Sequence, residues 1–338
     1  MSRVGPAILA VLLLLATGVP VLAQSGSSLP GTGREVPRPP TASSAHDASS
    51  PNPIDEKIPS FKVDVKLVNV FVTVLDPNGS PIGNLQKPDF QILEDGYPQQ
   101  IAVFDRESQL PLSIVVAVDT SLSTRKDLKL ELQSARRFAH SILRPVDALA
   151  LFQFSEVVNE VVPFTADLKR IDRGLGDITV GSATALYDAL YLGAEALQER
   201  QGRKVLVVIT DGGDTYSKVS YQEALRAAQQ AEAILYSIII VPVPSSAGRD
   251  LGGEHALIQL SHDTGGKYYY ADSLDRLDAA FRHISDELRT QYLLAYYPTR
   301  RIADSDFRRI EVRVRGEKED SGDLIARYRS GYYTSKAK

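Results

Sequence analysis

Between Leu112 and Leu288 short apolar runs alternate with amphipathic stretches, and this rhythm constrains the chain more than any other feature. Leu112–Val118, Ala148–Phe154, Val157–Phe164, Val205–Ile209, Ile234–Val241 and Lys267–Tyr270 read as strands. Lys126–Leu143, Leu186–Gln198, Tyr221–Ala233, Glu254–Ser261 and Leu274–Leu288 read as helices. Strands that are apolar at consecutive positions, not alternate ones, belong to sheets covered on both faces. The expectation is an α/β fold: a doubly wound, mostly parallel sheet with helices on either side.

The flanks follow a different rhythm. Phe61, Val63, Val65 and Leu67 share one face, and Val68, Val70, Val72 and Val74 continue in the other phase, which predicts a bulge or a move between two sheets. "DPNGS" (Asp76–Ser80) predicts a turn suited to a hairpin. "DFQILEDGYPQQIAVF" reads as strand, turn at Asp95–Gly96, strand. After Thr290, "YLLAYYP", "FRRIEVRVRG" and "LIARYRSGYY" read as three more strands. Neither group has enough strands to cover its apolar face alone. Residues 57–110 and 290–335 are therefore expected to build one small β-sandwich, with an α/β domain at 111–289 inserted between them. The arginines and tyrosines of the last strands admit anion or glycan binding; a solvated face beside packing tyrosines is the plainer reading.

The chain opens on "MSRVGPAILAVLLLLATGVPVLAQ": one basic residue, a short apolar run, then small residues up to Ala23. This predicts a signal peptide over 1–23, with an uncleaved N-terminal anchor as the alternative. Residues 24–56 are rich in Pro, Ser and Gly and read as a disordered linker. The expected location is outside the cytoplasm, periplasmic or secreted, with no stable membrane span once the signal is removed. No cysteine occurs among the 338 residues, so disulfides, zinc–thiolate centres and cysteine nucleophiles are excluded. A net charge of -4 gives no reason to expect nucleic acid as a partner.

The chemistry-bearing stretch is "VVAVDTSLST", Val115–Thr124. Asp119 ends the first strand of the α/β region, at the edge where open α/β sheets bind ligands. In the usual doubly wound order that strand neighbours "KVLVVIT", which runs into Asp211 of "TDGGDT". "GSATALYDAL", with Thr184, lies between them in sequence. Asp119, Ser121, Ser123, Thr184 and Asp211 are all oxygen donors, two charged and three neutral. Such a set suits Mg²⁺, which takes six oxygens, better than zinc, which prefers nitrogen and sulfur. The alternative is that Asp119 and the serines cap the following helix and satisfy loop amides. Asp127 and Asp188 read as helix-surface residues, while Asp214 and Ser217 are neighbours without an assigned role.

At these residues the chain resembles a known family. "DTSLS" matches the D-x-S-x-S signature of von Willebrand factor type A domains, and Thr184 and Asp211 fall in the order that family uses. The resemblance covers roughly Leu112 to Leu288. It implies a metal-ion-dependent adhesion site in which Ser121, Ser123 and Thr184 bind Mg²⁺ (or Mn²⁺ or Ca²⁺) directly, and Asp119 and Asp211 act largely through water. It also implies a protein partner that offers an acidic side chain to the cation. The leader "VNVFVTVLDPNGSPIGNLQKPDFQILEDG" and the closing "YLLAYYPT" and "RRIEVRVR" resemble a bacterial group of exported "VWFA-related" proteins.

Enzyme motifs are missing. The histidines (His46, His140, His255, His262 and His283) form no H-E-x-x-H, and there is no G-x-S-x-G elbow or Walker A loop. Tyr268–Tyr270 read as packing residues. The expected function is a non-catalytic binding module that uses a divalent cation to hold a protein. The alternatives are a metal-dependent hydrolase and a structural envelope protein with a vestigial site.

Overall fold

The computed structural model describes residues 67–106, 109–124, 126, 128–241, 251–300, 307–315 and 324–334. The expected signal peptide, the linker, the strand beginning at Phe61 and Asp127 lie outside them. Strand β1 (Val68–Leu75) buries Val68, Val70, Val72 and Val74, as the alternation predicts. At its end the Asp76 carboxylate accepts from Ser80 N at 2.8 Å, and Gly79 adopts φ 82°. The turn closes a minimal hairpin, in which Leu75 bridges Pro81. Asp76 N donates to Ser80 O at 2.9 Å and Ile82 N to Val74 O at 2.8 Å, and the pairing extends into no further strand.

Strands β2 (Phe90–Glu94) and β3 (Tyr97–Gln99) do form a hairpin. Asp95 (φ 49°) and Gly96 (φ 84°) are both left-handed, the geometry of a two-residue type I′ turn. The strand expected after this turn is divided at Gln100, because β3 stays with β2 while β4 (Ile101–Arg106) joins another sheet.

The central lobe runs β5 (Leu112–Asp119), α1 (Leu128–Ile142), β6 (Ala148–Phe154), β7 (Val158–Thr165), α2 (Leu168–Gly176), α3 (Leu186–Gln198), β8 (Arg203–Thr210), α4 (Tyr221–Gln230), β9 (Ala233–Ile240), α5 (Leu251–Asp263), β10 (Lys267–Ala271) and α6 (Leu274–Thr290). Its sheet has the order β10-β9-β8-β5-β6-β7, with β7 antiparallel to β6 and the other neighbours parallel. Alternate residues of β5 serve opposite faces. Ile114, Val116 and Val118 pack with α1, α2 and α6, whereas Val115 and Ala117 pack with α3, α4 and α5. Helix α2 has no counterpart in the sequence reading. Its two glycines weaken the helical signal, yet Gly174 is required, since a Cβ there would lie 2.1 Å from Val162 Cγ2. The Asp167 side chain caps the helix by accepting from Lys169 N.

Strands β11 (Tyr292–Tyr296), β12 (Phe307–Val314), β13 (Ile325–Arg327) and β14 (Gly331–Tyr333) return to the β1–β4 region. Two four-stranded sheets result, β13-β1-β11-β4 and β14-β12-β2-β3, each built from both flanks of the chain. They enclose a core of Val70, Val72, Phe90, Ile92, Tyr292, Leu294, Ile310 and Val312. The stretch expected as one final strand is split between the two sheets, because Ser330 N and Arg329 turn aside to bond Asp263 O and bridge Thr264. The arginines there do not all form a solvated face: Arg308 and Arg329 are buried, and Arg327 reaches Glu287 of α6 at 2.6 Å. Tyr269 of β10 stacks on His283, as a packing residue would.

Candidate functional site

Asp119 closes β5, hydrogen-bonded between β6 and β8, and is fully buried. Both carboxylate oxygens are engaged. Oδ1 accepts from Ser121 N at 2.9 Å, and Oδ2 accepts from the hydroxyl of Thr210 at 2.6 Å. Thr210 ends β8, and its hydroxyl in turn accepts from Gly212 N at 3.1 Å. Burial raises the Asp119 carboxyl to about 6, and the Asp211 charge adds to the rise, against the hydrogen bonds from Thr210 and Ser121. Two β-strand ends have thus brought together an aspartate, a threonine and a second aspartate.

The chain after Asp119 turns sharply. Thr124 Oγ1 donates to Asp119 O and to Ser121 O, both at 3.1 Å, and this folds the loop over the strand end. The fold of the loop sets the Ser121 and Ser123 hydroxyls side by side, Oγ to Oγ 3.0 Å. Ser121 is buried and Ser123 exposed, so the pair faces outward from the sheet edge. Asp119 satisfies a loop amide, as the capping alternative holds, but α1 begins only at Leu128.

Thr184 comes from the loop before α3, and that loop is pinned on both sides. Gly181 N donates to Thr120 O at 2.8 Å, and Ala185 N donates to Ser155 O at 2.7 Å. A Cβ on Gly181 would lie 2.1 Å from Ser155 Oγ, so only glycine permits the approach. Glu156 Oε2 accepts from Ser182 N at 2.9 Å, and these donors hold its carboxyl down to about 2. On the other side, Thr184 O accepts from Thr215 N and Tyr216 N, each at 2.9 Å. The Thr184 loop is therefore tied to the Asp119 loop and to the loop that carries Asp211.

Asp211 is half-buried, with Gly213 N at 3.4 Å from its Oδ1. Asp214 has a role that the sequence left open. Its Oδ1 accepts from Leu186 N at 2.8 Å at the start of α3, and from the Ser217 hydroxyl. Asp188 is not an idle helix-surface residue, because it accepts from Lys218 N and Val219 N at 2.8 and 2.9 Å and anchors the same loop. Thr210, Glu156, Asp214 and Asp188 thus support the site without belonging to the predicted set. Thr210 had a signal, as the hydroxyl directly before Asp211 at a strand end. Glu156 had none.

Among the described residues, no three Asp, Glu or His side chains cluster as a metal-holding group. A cation at this edge would rest on hydroxyls as much as on carboxylates. The residues fit such a role. Two neighbouring ligands on an octahedral ion with bonds of 2.0–2.1 Å stand about 3 Å apart, which is the Ser121–Ser123 separation. No helix among the described residues is long and apolar enough to cross a membrane.

Among solved structures the chain is similar to the conserved hypothetical protein BatB from Bacteroides thetaiotaomicron, with 20% identity over 53% of this chain and 100% of that one, TM-score 0.43. It is similar to a von Willebrand factor type A protein from Catenulispora acidiphila, with 12% identity over 75% of this chain and 74% of that one, TM-score 0.47. It is also similar to the vWF domain of the type V pili tip protein Mfa5 from Porphyromonas gingivalis, with 12% identity over 53% of this chain and 95% of that one, TM-score 0.43. No curated protein matches the chain. Residues 114–213, from within β5 through Asp119, Thr184 and Asp211, match the family of the von Willebrand factor type A domain, so the central lobe is a von Willebrand factor type A domain.

Proposed function

We propose that this chain is an exported, non-catalytic interaction module that holds one divalent cation, Mg²⁺ by preference, and uses it to engage an acidic group on a partner protein. Ser121, Ser123 and Thr184 are the direct ligands, and Asp119 and Asp211 act through water. Bound there, the cation would supply a Lewis-acidic position open to a carboxylate. The protein's own part is to keep the direct ligands neutral, so that the ion stays short of negative charge. The domain plan is the one expected from the sequence: a signal peptide over 1–23, a linker over 24–56, and a sandwich interrupted by the type A domain.

The single observation behind this reading is Asp119. A carboxyl that is fully buried, raised to about 6 and placed beside Asp211 and a hydroxyl pair is a group short of positive charge. The test is thermal unfolding in Mg²⁺, Mn²⁺, Ca²⁺ and EDTA. A cation that binds only the folded chain raises stability by about 2.7 kcal/mol at a hundredfold excess over its Kd. Asp119→Ala should abolish that rise. Equal melting temperatures in all four conditions would sink the metal site.

A further inference from the structure

The three sheets end on β13 and β4, on β10 and β7, and on β14 and β3. Natural edge strands are kept from pairing by shortness, proline or lysine. β3, β13 and β14 have three residues each. β7 carries Pro163, which has no N–H to offer, and β10 begins with Lys267. β4 has six residues, neither proline nor lysine, and Val103 40% exposed at its middle. Its one irregularity falls at Ala102, so Val103–Arg106 stay in unbroken register with β11. Among the described residues, no strand pairs with the other side of β4.

A groove of about 550 Å³ runs past Phe104, Asp105 and Arg106, with Gly83 and Gln86 as its opposite wall. Consecutive strand residues point to opposite faces. A groove that touches three in a row therefore follows the strand's edge, and the only open edge of β4 is the one away from β11. The wall is fixed in advance, because the Tyr292 hydroxyl donates to Ile82 O at 2.9 Å and accepts from Leu85 N at 3.0 Å. Phe104 lies partly buried against the sandwich core. Arg106 is exposed and Asp105 half-buried, and neither forms an ion pair with another described residue. The edge thus offers free main-chain groups, an aromatic ring and two charges without partners.

We propose that β4 receives an extended segment of a partner protein as a fifth strand of its sheet. The pairs β1–β13, β1–β11 and β11–β4 are all antiparallel, and the added strand continues that pattern. Main-chain hydrogen bonds to β4 supply the hold, and the side chains opposite it supply the choice. Residues directly opposite each other in an antiparallel pair share a face and touch. In the order of its own sequence the partner therefore presents a carboxylate to Arg106, a cation to Asp105 and an apolar side chain to Phe104. The surface belongs to the sandwich and owes nothing to a cation in the type A lobe, so EDTA leaves this binding unchanged.

The probe is a blocked hexapeptide, Thr-Glu-Lys-Val-Thr-Thr, followed by fluorescence anisotropy on the full chain in EDTA. Its charge-exchanged twin, Thr-Lys-Glu-Val-Thr-Thr, should bind at least tenfold more weakly. The double variant Asp105→Arg, Arg106→Asp should reverse that order with its melting temperature kept. Hydrogen exchange reads the edge without any substitution: alternate amides of Val103–Arg106 should exchange fast in the free chain and slow when the first peptide is bound. Absence of saturable binding by either peptide overturns the proposal, as does an order of affinities that ignores the exchanged charges. Amides already protected in the free chain also overturn it, by giving the edge to the chain's own residues or to a second copy.

Discussion

Each lobe holds a carboxylate with no exposed surface, Glu94 in the sandwich and Asp119 in the type A lobe, and the two are treated in opposite ways. In the sandwich, Glu94 accepts from the hydroxyls of Tyr296 and Tyr332 at 2.8 and 2.9 Å, and Arg308 stands 3.7 Å away. That carboxylate has its cation built in. In the type A lobe, Asp119 has hydrogen bonds but a second carboxylate for a neighbour, and its carboxyl is raised to about 6. A charge with a permanent partner holds the fold together, while one without is the group on which the proposed cation would act.

The comparison breaks most visibly at Glu94. Glu94→Ala removes the acceptor of two tyrosine hydroxyls and one of the two carboxylates that face the buried Arg308, Asp95 remaining at 3.3 Å. Removing one partner of a buried ion pair costs about 3–5 kcal/mol, so chemical denaturation should show a loss of that order, unchanged by Mg²⁺. A loss below about 1 kcal/mol would make the two carboxylates alike.

Asp119 should behave in reverse. Its folded pKa lies above the ordinary aspartate value of 3.8, so the contribution is fully present below about pH 4 and is lost as pH rises through about 6. In EDTA at pH 7.5, Asp119→Asn should therefore stabilise the chain, by at most about 3 kcal/mol for a shift of about two units. The gain should vanish at pH 4, and in excess Mg²⁺ the native chain should overtake the variant. Urea titrations at the two pH values, with and without the cation, check all three signs.

Gly181→Ala tests whether the loops act together. Its Cβ meets Ser155, and overpacking of this kind costs about 1–3 kcal/mol. The Mg²⁺ response should fall as well, because the Thr184 loop is pinned through Gly181. The smallest effect belongs to Glu156→Gln. The side chain is exposed, so the melting temperature should scarcely move, while Mg²⁺ affinity measured by calorimetry should weaken as residues 181–183 loosen.

The type A lobe was legible because its information is local. The α3 limits, Leu186 and Gln198, are those the periodicity predicts, and β5 lies beside β8 as the doubly wound order requires. Asp119, Ser121 and Ser123 lie within five positions, so their grouping needs only one turn of chain. Other features depend on partners that sequence does not place. Asp188 earns its role from amides 30 and 31 positions away, and Glu156 from one 26 positions away. The division of β3 from β4 is equally hidden, since the sheet that each joins is set by packing and not by a pattern at Gln100. Helix α2 was lost for a third reason: Gly174, which fits it against β7, is a residue that argues against a helix.

The interleaving of the two sheets also sets an order of events. β1 lies inside its sheet, between β13 and β11, and its first residue, Val68, pairs with Tyr296. Both neighbours are synthesised after the whole type A lobe. A chain made from its N-terminus therefore carries β1 with two bare edges until β11 emerges, and with one until β13 follows. Bare edges are sites of mispairing, and contacts of such long range form slowly. The type A lobe, built from consecutive units, has no such wait. The sandwich is thus a clasp that shuts only once β13 has been made, and a chain terminated before it would be marked by the open strand it could not close.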